Sequence, residues 1–210
     1  MPVRKPKKNY RSLTGMFYSL KNGKGIFFES KLERDLFLTL EFDKNVISYE
    51  EQPMTLSYKK GTRTYPYTPD CLITYHEGLP CVVEVKYSDE IEEKKEEFEF
   101  KFNQISKTLH KKEFTFKMFT EMELNEVAIE NMNFIYNYVT IRDYNMVEDI
   151  YQRVLSIGSL CYHDLLSMLT QDKYTQALYS PYIWYLVLIG KLHIDIDEKI
   201  TPQTYIRVSL

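Results

Sequence analysis

Cys81-Val82-Val83-Glu84-Val85-Lys86-Tyr87 is an apolar, β-branched run broken by one acid and one base. Such residues favour strand, and a run this apolar suits a central strand covered on both faces. Side chains alternate across a strand. Glu84 and Lys86 are therefore expected on one face, with Val85 turned the other way into the core. Upstream, Asp70 to His76 forms a second β-rich run, and Glu77-Gly78-Leu79-Pro80 between the two is a turn. Folding this hairpin about Gly78 brings Asp70, at the start of one strand, beside Glu84 and Lys86 at the end of the other. Pro69-Asp70 followed by Glu84-Val85-Lys86 fits the pattern P-D…(D/E)-x-K.

Two carboxylates and an ammonium at one end of a sheet face need a physical reason. Close carboxylates repel, and one of them tends to keep its proton. A divalent cation resolves the conflict; magnesium prefers hard oxygen ligands and retains waters. A bound water becomes a better nucleophile and the metal polarises a phosphate, while a lysine beside it offsets charge building on the phosphorane oxygens. These are the parts needed to hydrolyse a phosphodiester. Glu33, beside the Leu32/Leu36/Leu40 stripe of the preceding helix, is a candidate third carboxylate from a second element. Each residue taken singly has a plainer reading. Glu84 and Lys86 could form a structural ion pair, Lys86 could end a strand in solvent, Asp70 could belong to a turn, and Glu33 could lie on an exposed helix face. The set, in the order helix, hairpin, central strand, helix, carries the argument.

Working outward, residues 1–24 hold Pro2, Pro6, Gly15 and Gly23 among basic residues and predict an extended arm. Glu29 to Phe42 has helical spacing. Val46 to Glu51 and Met54 to Tyr58 predict short strands interrupted by Pro53, and residues 59–62 a turn. Asp89 to Leu109 predicts one helix with Ile91, Phe98, Phe102, Ile105 and Leu109 as its apolar stripe. Phe114 to Phe119 predicts a strand and Leu124 to Tyr138 a helix. Beyond about residue 145, Ile150 to Ser156, Leu160 to Leu169 and Pro181 to Ile189 read as three helices, the last stopped by Gly190. Leu192 to Ile196 and Thr204 to Val208 read as two strands. Three helices and a hairpin give the outline of a winged-helix module. Its third helix carries Tyr182, Trp184 and Tyr185 but no Lys or Arg, which favours protein docking over base reading. Core packing is the competing role for those aromatics.

The net charge is only −3, but it is unevenly placed. Residues 1–32 set eight cations against Glu29 alone, whereas residues 88–100 set seven acids against Lys94 and Lys95. A chain divided in this way can hold DNA at one end and remain acidic overall. The acidic segment predicts that DNA lies along the basic arm and the sheet end carrying Asp70. Three cysteines, an odd count without CxxC spacing, argue against a disulfide framework and a zinc site. No apolar run approaches the roughly 20 residues needed to span a bilayer, and the basic start lacks an apolar h-region. The expected location is the cytoplasm, with no membrane partner.

Several segments together look familiar. Phe28-Glu29-Ser30-Lys31-Leu32-Glu33-Arg34-Asp35-Leu36-Phe37-Leu38, Tyr49-Glu50-Glu51-Gln52-Pro53, Tyr67-Thr68-Pro69-Asp70, Val83-Glu84-Val85-Lys86 and Asn131-Met132-Asn133-Phe134-Ile135-Tyr136 resemble, in this order, TnsA endonucleases of bacterial heteromeric transposases. The resemblance spans roughly residues 25–140. It implies an α/β fold: a restriction-endonuclease-like mixed sheet flanked by helices, followed by a small winged-helix-like C-terminal domain. The implied division is a basic N-terminal arm (1–24), a catalytic domain (25–145) and the C-terminal domain (146–210). It further implies a Mg2+-dependent endonuclease, with Mn2+ a substitute, that cuts the 5′ strands at transposon ends in cut-and-paste DNA transposition. The implied partners are double-stranded DNA at those ends, a TnsB-type transposase and a TnsC-type ATPase regulator, with action at the bacterial nucleoid. Glu33, Asp70, Glu84 and Lys86 would form the active site, with Glu33, Asp70 and Glu84 as metal ligands and Asp43 as a neighbour. Family members with Gln in place of Glu84 imply that a strict acid is not required there. The competing readings are a solitary restriction or repair nuclease and a non-catalytic DNA-binding adaptor of the same fold.

Overall fold

A computed structural model of the chain describes residues 13–208. They divide into two compact units between Leu124 and Asn125. The first opens with an antiparallel hairpin, β1 (Gly15–Ser19) and β2 (Lys24–Phe28), followed by α1 (Lys31–Phe42) and β3 (Val46–Glu51). A second hairpin comprises β4 (Leu56–Lys60) and β5 (Arg63–Tyr67), and a third β6 (Cys71–Tyr75) and β7 (Cys81–Val85). Helices α2 (Ser88–Glu93) and α3 (Lys95–His110) then lead to β8 (Thr115–Phe119). The main sheet has the order β3-β6-β7-β8, antiparallel except for the parallel β7–β8 pair, so it is mixed. A parallel pair needs a crossover connection, which α2 and α3 supply.

The strand Cys81–Val85 is interior and every residue in it is buried. Its two faces meet different partners. Val82 joins Leu56, Tyr67, Phe98, Phe102, Ile105 and Leu109 in one apolar cluster, which seats α3 and the β4–β5 hairpin on that side. Val83 lies with Ile73 near Leu36 and Leu40 of α1 on the other. Glu84 shares the parity of Val82 and therefore faces α3.

The basic segment differs from its expected extended form. Residues 15–28 make a hairpin, while residues 1–12 lie outside the described residues. The cause is a buried carboxylate. Glu41 of α1 accepts from the Ser19 hydroxyl, the Leu20 N–H (3.0 Å) and the Tyr49 hydroxyl (2.6 Å), so the hairpin is tied to α1 by bonds made in a low-dielectric interior. The expected single helix over 89–109 is divided at Lys94, whose backbone (φ −113°, ψ 27°) leaves helical geometry. The strand Arg63–Tyr67 has no counterpart in the sequence reading.

The second unit contains α4 (Glu126–Tyr136), α5 (Tyr144–Ile157), β9 (Leu160–Cys161), α6 (Tyr162–Leu169), α7 (Lys173–Leu188), β10 (Leu192–His193) and β11 (Tyr205–Val208). The short strands form one sheet in the order β10-β11-β9. Helix α4, assigned by sequence to the catalytic domain, packs within this second unit: Phe134 meets Trp184 edge-on at 5.2 Å. Helix α7 begins at Lys173 and contains Pro181, rather than starting there. Trp184 and Tyr185 are 2% and 5% exposed. They are core residues of their own unit, which removes them as a docking surface and corrects that expectation; Trp184 also packs on Tyr162.

Asn131 of α4, 4% exposed, holds the loop between β10 and β11. Its Nδ2 donates to the carbonyls of Ile196 (2.8 Å) and Glu198 (2.7 Å), and its Oδ1 accepts from the Ile200 N–H (3.2 Å). Asn131→Ala is expected to cost about 1–3 kcal/mol, since three backbone groups lose their partner at once. Amide hydrogen exchange should accelerate first at Ile200; unchanged exchange there would count against this role. Among the described residues no helix is long and apolar enough to cross a membrane.

Candidate active site

Asp70 precedes β6 and Glu84 lies near the end of β7. The register pairs Cys71 with Val83, so Asp70 and Glu84 follow as the next positions on adjacent strands. The hairpin geometry expected from sequence therefore brings them together. Asp70 Oδ2 accepts from the Val85 N–H at 2.7 Å. The Lys86 ammonium stands 3.0 Å from Glu84 Oε1 and 3.7 Å from Asp70 Oδ2, bridging the two carboxylates. It also donates to the Val85 carbonyl at 3.0 Å.

The electrostatics follow from this crowding. Burial pushes the Asp70 carboxyl up to about 6, and the neighbouring Glu84 charge adds to the rise; Lys86 and the Val85 N–H oppose it. Burial alone would lower Lys86, but Asp70 and Glu84 outweigh it and hold the ammonium above its ordinary value. Lys86 is thus held as the shared counter-charge of the two carboxylates.

Glu33 arrives differently. It is the third residue of α1, whose N-cap is Ser30, and the Ser30 hydroxyl accepts from the Glu33 N–H (3.1 Å). In return Glu33 Oε1 accepts from the Ser30 hydroxyl (2.8 Å) and Oε2 from the Glu29 N–H (3.0 Å). This is a variant of the reciprocal S-x-x-E cap, present in the sequence as Ser30-Lys31-Leu32-Glu33. Helix α1 covers the face opposite Glu84, so Glu33 reaches the strand end around Val85 rather than across the sheet. It lines an open cleft with Glu29, Ser30, Val85, Lys86 and Asp89 and lies within electrostatic reach of Asp70. Asp43 is not brought in: it caps the far end of α1, where its carboxylate accepts from the Asn45 N–H.

Two further groups sit on Glu84 that the motif does not contain. The Tyr67 hydroxyl donates to Glu84 Oε2 at 2.6 Å. The Lys101 ammonium lies 3.9 Å from Glu84 Oε1 and 4.2 Å from the centre of the Tyr67 ring. Burial first, then Glu84, raises the Tyr67 hydroxyl far above its ordinary range, so it is a permanent donor. Burial lowers Lys101. Lys101 is four residues before Ile105 and next to Phe102, at the margin of the apolar stripe of α3. That position was the available signal for a cation held against the sheet.

Among the described residues no group of three or more His, Cys, Asp or Glu is arranged to hold a metal ion. Asp70 and Glu84 are a pair, and Glu33 is engaged at its helix start. The pair nevertheless suits a hard divalent cation in two respects. Its donors are carboxylate oxygens, and it already draws a cationic group, the Lys86 ammonium, to within 3.0 Å and 3.7 Å of its two members. Cys71, Cys81 and Cys161 are free thiols.

Comparison with curated proteins returns no match. Residues 43–121 match the family described as TnsA-like endonuclease N terminal. The match takes in β3 to β8, with Asp70, Glu84 and Lys86 inside it and Glu33 before it. Across residues 43–121 the chain is TnsA-like and restriction-endonuclease-like.

Proposed function

We propose that this chain is a Mg2+-dependent DNA endonuclease that cuts the 5′ strands at the ends of a mobile element. In this reading it works with a TnsB-type transposase under a TnsC-type ATPase regulator. The observation that carries the reading is the Asp70–Lys86–Glu84 cluster at the end of the central strand, inside the TnsA-like segment. Asp70 and Glu84 would hold the cation, joined by Glu33 once its carboxylate leaves the helix start. A bound divalent cation supplies an activated water and polarises the phosphoryl oxygen. Lys86, held between the two carboxylates, would orient an attacking water and offset charge building on the phosphate oxygens. Burial on both sides of β7 keeps these groups in place before DNA arrives. The strands and helices of residues 144–208 are read as a winged-helix-like module.

The test is cleavage of a transposon-end duplex with Mg2+, both strands mapped, with and without the transposase partner, for wild type and Asp70→Ala. Cuts on the 5′ strand at the element boundary that need the partner and vanish in the variant support the reading. Cutting by the chain alone moves the solitary nuclease ahead. No cutting in either condition moves the adaptor ahead.

The acidic residues Asp89, Glu90 and Glu93 border the cleft beside Glu33 and Lys86, so the attraction for DNA must come from elsewhere. The basic residues Arg4, Lys5, Lys7, Lys8 and Arg11 are the candidates. Removing residues 1–12 is expected to weaken DNA binding and flatten its dependence on salt, because each phosphate contact contributes about 0.9 to the logarithmic slope. Equal affinities for both forms across a salt series would exclude this.

A further inference from the structure

The proposed cation site leaves Tyr67 and Lys101 without a role, yet both are aimed at one carboxylate. They come from β5 and α3, neither part of the hairpin that carries Asp70, Glu84 and Lys86. Tyr67 is 5% exposed, its ring fixed edge-on against Phe102 at 5.9 Å, and its hydroxyl engages Glu84 Oε2. That single neutral bond sets the rotation of the carboxylate and turns Oε1 toward Lys86. Lys101 lies against the two rings, its ammonium 4.2 Å from the Tyr67 ring centre, 4.6 Å from that of Phe102 and 3.9 Å from Oε1. Glu84 thus has one oxygen tied by a donor without charge and the other facing two ammoniums. Groups that hydrogen-bond a metal ligand fix its orientation, whereas a fixed ammonium beside the same ligand repels an incoming cation.

We propose that Tyr67 and Lys101 are positioning residues for Glu84 with opposite effects on cation binding. Tyr67 aims the carboxylate for the cation. Lys101 is a built-in counter-cation that holds Glu84 while no metal is bound and competes with the metal that replaces it. The inference rests on the reading of Glu84 as a cation ligand.

The experiment is a Mn2+ titration of the full chain without DNA, followed by electron paramagnetic resonance, and a parallel Mg2+ titration of the cleavage rate. The variants are Tyr67→Phe, Lys101→Met, Lys101→Arg and, as a control on the exposed side of α3, Lys107→Met. Phe keeps the ring and Met keeps the stem, and thermal melting of each metal-free variant verifies folding. Tyr67→Phe is expected to bind Mn2+ about 10–100-fold more weakly and to regain most of its rate at high Mg2+. Lys101→Met is expected to bind Mn2+ several-fold more tightly, by about 3–10-fold for loss of one partly screened charge, and to need less Mg2+. Lys101→Arg should return toward wild type, and Lys107→Met should match it. Shifts of the same sign in Tyr67→Phe and Lys101→Met, or no shift in either, overturn the inference while leaving the cation site standing. No Mn2+ binding by wild type overturns the cation site and the inference together.

Discussion

Asp70→Asn is expected to reduce cleavage by about a thousandfold or more without lowering the melting temperature of the metal-free protein. A metal-held oxygen is worth several kcal/mol of transition-state stabilisation, and each ~1.4 kcal/mol is a factor of ten in rate. Asparagine keeps an oxygen to accept the Val85 N–H, the 2.7 Å bond that ties Asp70 to β7. It removes the charge that opposes Glu84. The sign of the stability effect follows from the raised pKa, about 6 against an ordinary 3.8. A carboxyl raised in the folded state costs stability when ionised. The cost is fully present above about 6 and vanishes below the ordinary value. At neutral pH the amide should therefore melt at the same temperature or higher. Cleavage and calorimetry on one preparation separate the outcomes. Near wild-type cutting would remove Asp70 from the chemistry, and a large drop in melting temperature would make it a structural residue.

Phe102→Ala is the change expected to damage the fold most. Phe102 is 5% exposed and stacks on Phe116 at 5.3 Å, with Phe98 at 5.5 Å and Tyr67 edge-on at 5.9 Å. Truncating a buried phenylalanine costs about 3–5 kcal/mol, because the surroundings close only part of the cavity. That is a large share of the roughly 5–15 kcal/mol by which domains of this kind are stable. The same ring walls Lys101, so the Glu84 clamp should loosen even in the fraction that folds. Phe100, two residues away and 48% exposed, provides the comparison; its alanine variant should stay within about 0.5 kcal/mol. Guanidinium denaturation measures both. Equal midpoints for the two variants would mean that α3 is not seated by this cluster.

The hairpin of β6 and β7 was legible because alternation and a turn are local signals. Cys81 to Val85, the turn at Gly78 and the meeting of Asp70 with Glu84 and Lys86 all follow from spacing within one hairpin. The stripe of α3 was legible for the same reason, although its division at Lys94 was not. The hairpin at residues 15–28 was hidden, because its partner Glu41 lies some twenty residues on and no period links them. Tyr67 and Lys101 were hidden likewise: they reach Glu84 only after β5 and α3 have packed on the even-numbered face of β7. Trp184 and Tyr185 looked available in sequence, since an aromatic helix face reads the same whether a partner or the rest of its own unit covers it.

The sequence by itself determined the central strand and the pairing of Asp70 with Glu84 and Lys86, because each depends on periods of two and on one turn, while the mixed α/β class came only with the family resemblance. Only the tertiary structure decided that Glu33, whose cap is already written in Ser30-Lys31-Leu32-Glu33, approaches Asp70 around the strand end. It alone also decided that Glu84 is clamped by Tyr67 and Lys101, and that α4 packs with the second unit. Those contacts join residues far apart in the chain, and they exist only where buried apolar surfaces have already brought whole elements together.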